Sequence, residues 1–293
     1  MVHNDPFLIA EVGCNHMGNM EVAYELIKTA SVFCKVDAVK FQKRCNLELL
    51  TPEQYCAPHP VPRNAFGGTY GEHRDFLEFT VEQHEQLKAW CEEFGFAYSS
   101  SVWDLTSAKE IANLNPIMIK IPSACNNNYT MLEWLCDNYE GELHISVGMT
   151  SREEERELVD LFMRKNRNSD LVIYACTSGY PVASEDVCLL EISRLINQYG
   201  DVVKSIGFSG HHTGISIDIA AYTLGATVFE RHFTLDRTWK GTDHAASVEP
   251  DGLRRLKRDL LNVQKALNYK HEEILLVEQV QREKLKYRER AES

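Results

Sequence analysis

Ile117-Met-Ile-Lys-Ile-Pro-Ser123 holds the pattern that decides the fold: a short apolar run with a lysine set into it and a hydroxyl just beyond. A strand buried on both faces of a parallel sheet reads as a continuous apolar run. Its interior has little use for an ammonium group, so Lys120 marks a rim. The arrangement recurs along the chain. Other apolar runs stop at Glu11, Lys40, Ser101, Ser146, Thr177, His211 and His232.

The spacing predicts strands at Phe7–Val12, Ala38–Gln42, Phe96–Ser101, Met118–Ile121, His144–Val147, Leu171–Ala175, Ser205–Phe208 and Val228–His232. Helical patterns lie between them: Met20–Ser31 behind an Asn19 N-cap, Thr80–Phe94, Thr106–Leu114 and Met131–Asn138, a long helix opened by Ser151, then Leu189–Tyr199, Ile217–Leu224 and Pro250–Leu267. Eight strands alternating with helices, with no composition shift, read as an α/β protein: a (β/α)8 TIM barrel over residues 1–270. A doubly wound open sheet is the competitor, but no G-x-G-x-x-G follows the first strand. Residues 271–293 form a charged helical tail, with Leu275, Leu276, Val280 and Leu285 as an apolar face for capping the barrel or pairing two chains. The stretch Lys43–Phe79 breaks the rhythm with four prolines and Gly67-Gly68, as a lid over the mouth would.

With 44% hydrophobic and 25% charged residues, the 293-residue chain has the composition of an ordinary soluble protein. A net charge of −12 argues against nucleic-acid or anionic-membrane partners, yet leaves room for a local cation cluster. Nine cysteines without a C-x-x-C pair, several inside apolar patterns (Cys34, Cys91, Cys136, Cys188), point to reduced thiols and a cytoplasmic address. Met1–Pro6 has no signal-peptide character.

In a barrel the C-terminal strand ends meet at one mouth. His211 and His232 follow adjacent strands about 5 Å apart, close enough to share a divalent ion. The plain alternatives are a turn residue and a satisfied core histidine. Lys40 and Lys120 each need an anion: an internal carboxylate would serve, or a bound phosphate or carboxylate helped by hydroxyls at Ser100, Ser101, Ser123, Ser146, Thr177, Ser178 and Ser209. Glu11 could be a general base, a substrate ligand or a partner for a lysine. Asp243 is either a ligand reaching over the mouth or a turn acid. Gly67–Arg74 mixes hinge glycines with Tyr70, His73 and Arg74, as a closing loop or a plain flexible one.

Five segments in order resemble the sialic acid (N-acetylneuraminate) synthase family: Ile9-Ala-Glu-Val-Gly-Cys-Asn-His16, Ala38-Val-Lys-Phe-Gln42, Cys176-Thr-Ser-Gly-Tyr-Pro181, Gly225-Ala-Thr-Val-Phe-Glu-Arg-His-Phe-Thr-Leu-Asp236 and Asp243-His-Ala-Ala-Ser-Val-Glu-Pro250. The resemblance implies a (β/α)8 barrel that condenses phosphoenolpyruvate with an N-acylmannosamine, mannose or a phosphorylated form, releasing phosphate. It implies a divalent metal, usually manganese with magnesium or cobalt as substitutes, and a homodimer. By resemblance, His211 and His232 hold the metal and Glu11 falls where the acceptor sugar is held; these three are the catalytic candidates. Lys40, Ser101, Lys120, Ser123, Ser146, Ser178 and Ser209 bind phosphoenolpyruvate; Gln42, Tyr180 and Asp243 hold the acceptor, and Tyr70 joins them from the closing loop. The chain departs from the family at Ser101-Val102 (threonine-proline), Ser178 (asparagine) and Cys125 (a glutamate on the acceptor side). It ends where the family's antifreeze-like domain would start, which implies an acceptor that needs no acyl clamp or a separate protein supplying one. Arg63, His73, Arg74 and Lys240 are the cations that could meet an acceptor phosphate. The alternatives are a metal-dependent aldolase or epimerase on the same barrel, and a non-catalytic sugar-binding relative.

Overall fold

The computed structural model describes residues 5–287. Eight parallel strands close into a ring in sequence order: β1 (Phe7–Gly13), β2 (Ala38–Lys43), β3 (Ala97–Val102), β4 (Met118–Ile121), β5 (Glu142–Ser146), β6 (Leu171–Cys176), β7 (Ser205–Gly210) and β8 (Val228–His232). β1 pairs with β8, Glu11 opposite His232, and so seals the sheet. The expected barrel is the fold, with several strands running a residue or two further than the apolar runs. Those runs end where side chains turn polar at the mouth, while backbone pairing continues past them.

The helices are α1 (Met20–Lys28), α2 (Asn46–Leu49), α3 (Pro52–Cys56), α4 (Tyr70–Leu77), α5 (Val81–Glu93), α6 (Leu105–Asn113), α7 (Tyr129–Asn138), α8 (Arg152–Arg164), α9 (Leu190–Tyr199), α10 (Ser216–Thr223), α11 (Pro250–Ala266) and α12 (Leu276–Leu285). Asn19 caps α1 through its side-chain oxygen, as its position predicts. Beyond Lys28 the helix loosens into a π-helical turn, Thr29–Cys34, so its regular part is shorter than the pattern suggests. Ser151 and Glu154 form a capping box on α8. The 43–79 excursion is not bare loop: α2, α3 and α4 fold within it, and α4 buries His73, Arg74 and Leu77.

Strand alternation sorts the barrel into two cores. Outward residues such as Val39, Phe41, Ile119 and Ile145 pack under the helices. Inside, Ile9, Ala38 and Met118 plug the N-terminal end, and above them the interior turns polar. This parity corrects one expectation: Ser100 lies on the Phe41–Ile119 face, where its hydroxyl donates to the Ser101 carbonyl at 3.3 Å. It takes no part in the mouth.

The nine cysteines are free. Cys34, Cys91 and Cys136 are buried as expected, but Cys188 is exposed, in a turn with φ of 54°. The tail does not cap the barrel within the described residues: Leu276 and Leu285 on α12 are each 76% exposed. The expectations for Met1–Asn4 and Arg288–Ser293 lie outside the described residues. Among the described residues no helix is long and apolar enough to cross a membrane.

Candidate active site

The C-terminal strand ends surround a cavity of about 400 Å³. Its floor is a buried charge quartet. Lys40 Nζ, on β2, contacts the Glu11 carboxylate on β1, donates to Ser101 Oγ at 2.6 Å and lies 3.7 Å from Glu230 Oε2. Lys120 Nζ, on β4, donates to Glu230 Oε2 at 2.8 Å and sits 4.1 Å over the Tyr174 ring. Ser209 donates to the other Glu230 oxygen at 3.2 Å. Both lysines and Glu11 are 2% exposed and Glu230 6%, so each charge depends on its partners rather than on water. The internal-carboxylate alternative for the lysines is therefore realised in the protein itself.

The two acids answer burial differently. Burial outweighs the Lys40 ammonium at Glu11 and pushes its pKa up. At Glu230 burial also works against the charge, but Lys120 and then Lys40 overcome it and hold the pKa well below the usual carboxylate range. Burial draws Lys120 down against the pull of Glu230. Two carboxyls pushed apart in this way are suited to separate tasks, one moving a proton and one remaining ionised.

Beside the quartet stand the imidazoles, with ring centroids 5.5 Å apart. His211 Nδ1 donates to the Thr177 carbonyl at 2.9 Å, which leaves Nε2 with its lone pair. Burial and then His232 push the His211 pKa down to about 3, so the ring is neutral at ordinary pH. His232 Nδ1 is buried with no hydrogen-bond partner, and Asp243 Oδ2 is 3.8 Å away. Two imidazole donors, one of them with an orphaned nitrogen, fit a divalent ion. Among the described residues no three His, Cys, Asp or Glu side chains could enclose it by themselves, so the pair would leave coordination positions open. Tyr180 lays its ring 4.3 Å from His211.

A third feature is a hydroxyl nook. Ser123 Oγ accepts from the Gly148 N–H at 3.0 Å. A Cβ added at Gly148 would fall 2.6 Å from Ser178 Oγ and 2.8 Å from Ser123 Oγ, so glycine keeps the nook open.

The structure gathers most of the sequence-derived candidates into this one cavity: Glu11, Lys40, Gln42, Tyr70, Ser101, Lys120, Ser123, Ser146, Ser178, Tyr180, Ser209, His211, His232 and Asp243. Thr177 contributes its carbonyl instead, its hydroxyl donating to Asp186 O. Cys125 points its thiol at the Val102 and Pro122 carbonyls and does not line the cavity; neither do Arg63 and Lys240. Sequence reading missed Glu230 and Arg44. Each lies two residues from a chosen one, His232 and Gln42; period-two alternation would have placed Glu230 on the inward face, whereas Arg44 follows the end of β2.

Residues 26–272 match the NeuB family model. The chain is 38% identical to human N-acetylneuraminate-9-phosphate synthase, with 95% of this chain and 76% of that protein covered. It is 30% identical to N,N'-diacetyllegionaminic acid synthase from Campylobacter jejuni, covering 89% and 77%. Its fold matches a crystal structure of N-acetylneuraminic acid (sialic acid) synthetase from Leptospira borgpetersenii in complex with citrate. There the TM-score is 0.80 at 28% identity, covering 97% of this chain and 94% of that one. The chain belongs to the NeuB family, the sialic acid synthase family.

Proposed function

We propose that this enzyme joins C3 of phosphoenolpyruvate to the aldehyde carbon of an open-chain mannose-type sugar, forming a nonulosonic acid and inorganic phosphate. The observation that carries the reading is the buried Lys40–Glu11–Glu230–Lys120 quartet sharing one cavity with the His211–His232 pair. An enolpyruvyl phosphate carries a carboxylate and a phosphate, and two ammonium groups beside a ring of serine hydroxyls match those charges.

Lys40 and Lys120 hold the donor, with Ser123, Ser178 and the space over Gly148 receiving its phosphate. Gln42, Tyr180, Tyr70 and Asp243 orient the acceptor, turning a two-substrate encounter into a positioned one. As C3 bonds to the aldehyde carbon, C2 becomes cationic, and the ionised Glu230 offsets that charge. Water adds to C2; Glu11, its carboxyl pushed up by burial, takes a proton from that water and delivers it to the sugar oxygen left as an alkoxide by the C–C bond. The tetrahedral centre then expels phosphate with C–O cleavage. His211 and His232 would hold a divalent ion, manganese, magnesium or cobalt, which when bound supplies Lewis-acid polarisation of the aldehyde.

The test is phosphate release from phosphoenolpyruvate in the presence of Mn²⁺ and mannose-derived sugars, free and phosphorylated. Turnover that requires both substrates, is lost on chelation and returns with metal is expected. Sugar cleavage or epimerisation without phosphate release would instead assign an aldolase or epimerase, and binding without turnover a non-catalytic relative.

A further inference from the structure

The cavity has a second electrostatic centre that neither the donor nor the histidine pair uses. Arg74, on α4, is 7% exposed and lines the cavity wall. Its Nε and Nη2 are buried and meet no hydrogen-bond acceptor in the protein. A guanidinium keeps its charge and carries five N–H donors that want acceptors. An internal carboxylate is the usual remedy for one buried this deeply. Here the neighbouring acid, Glu78, is already engaged: it accepts from Arg44 Nε, and from the Arg44 backbone N–H at 3.0 Å.

Around Arg74 stand rings and further cations. Its charge centre lies 5.8 Å over the Tyr70 ring and 5.9 Å over Trp103, and Arg44 lies 5.9 Å over the same indole. Burial first, then His59, Arg44, Arg74 and Lys240, push the His73 pKa down to about 4, which records how positive this corner is. Such an accumulation inside a chain of net charge −12 is not a by-product of a basic surface.

We infer that Arg74 anchors an anion subsite in the acceptor part of the cavity, which takes the phosphate ester of a phosphorylated sugar. The inference rests on the synthase reading above and names the form of its acceptor. An open-chain sugar whose aldehyde lies at the histidine pair extends its other end along the cavity. Two idle N–H groups on one planar guanidinium match the paired oxygens of a terminal phosphate. A phosphomonoester, close to a dianion at neutral pH, also balances the surplus of cations better than a uronic acid's single charge.

The test is calorimetric titration of the full chain, without phosphoenolpyruvate, using mannose and N-acetylmannosamine beside their 6-phosphates, with mannuronate as the carboxylate control. The phosphorylated sugars are expected to bind about ten- to a hundredfold more tightly than the free ones. Arg74→Gln should bring that ratio toward one. Arg74→Lys, which keeps the charge without the fork, should leave an intermediate ratio, and it stands in if the glutamine variant does not fold. Equal wild-type binding of free and phosphorylated sugar, an undiminished ratio in both variants, or mannuronate binding as tightly as the phosphates would overturn the subsite. So would an equal loss of phosphoenolpyruvate affinity in Arg74→Gln, which would hand the guanidinium to the donor. Phosphate release separates the two readings. Turnover of free and phosphorylated sugars alike removes the subsite and spares the synthase. Arg74-dependent binding with no release from phosphoenolpyruvate removes the synthase and spares the subsite.

Discussion

Glu230 is the side chain on which the floor of the cavity turns, because one carboxylate answers both lysines. Removing one partner from a buried ion network leaves the others uncompensated, at a cost of roughly 3–5 kcal/mol. Glu230→Gln should therefore lower the unfolding free energy by about 3 kcal/mol and cut kcat by on the order of 100-fold. It should also make the protein more responsive to anions. Phosphoenolpyruvate should raise the Tm of the variant more than that of wild type, since the donor then supplies the missing negative charge. An equal shift in both proteins would count against a donor site at Lys120. The sequence announces the lysines, because ammonium groups in an apolar run are conspicuous. It hides their partner, because Glu230 sits in the charged cluster Glu230-Arg-His232, where an acid attracts no notice.

At the scale of elements, the same cluster serves two faces. Glu230 and His232 point into the barrel; Arg231, between them, points out beneath α10. There it is 1% exposed, contacts Asp218, and donates to the His212 carbonyl at 2.7 Å and the Gly214 carbonyl at 3.0 Å. This clasp fixes the loop that presents His211. Asp218→Asn should destabilise the fold by roughly 3–5 kcal/mol by stranding a buried guanidinium, visible as a lower urea midpoint. A loss below about 1 kcal/mol would show that the carbonyls alone satisfy Arg231. Elements with regular periods were legible in advance: eight strands, their helices, and caps at Asn19 and Ser151. The 43–79 excursion was not. Its helices are short, and α4 buries His73 and Arg74, residue types that a hydrophobic pattern assigns to solvent. Burial there follows from the cavity they line, a tertiary fact absent from local sequence. Tail helix α12 misled in the opposite sense, because its apolar stripe reads as a buried face yet is open in the described chain.

The whole molecule carries an acid sensitivity set by its buried histidines. His16 and His84 are pushed down to about 3, mainly by burial, with His211 at about 3 and His73 at about 4. An unfolded chain binds protons at such sites below about pH 6.5, whereas the folded one does not. Their contribution to stability is therefore complete above that pH and is lost as the pH falls toward 4, at roughly 1 kcal/mol per pH unit for each fully buried histidine. Glu11, raised rather than lowered, works in the other direction as a single group. Urea unfolding at pH 7 and pH 5 should give a clearly lower midpoint at pH 5; equal midpoints would mean that these rings are protonated in the folded state. The barrel itself was legible because alternation survives over its whole length, and the candidate residues converge because strand ends in a closed ring have one place to meet.

That ring is sealed between its first and last strands, and this has a bearing on how the protein is made. β1 leaves the ribosome before the other seven strands, and its second hydrogen-bonding neighbour, beginning at Val228, is translated some two hundred residues later. Until then the nascent sheet has two raw edges, each open to pairing with a stranger. Closure waits for translation to deliver β8, so the same step that completes the barrel also retires its exposure to misassembly.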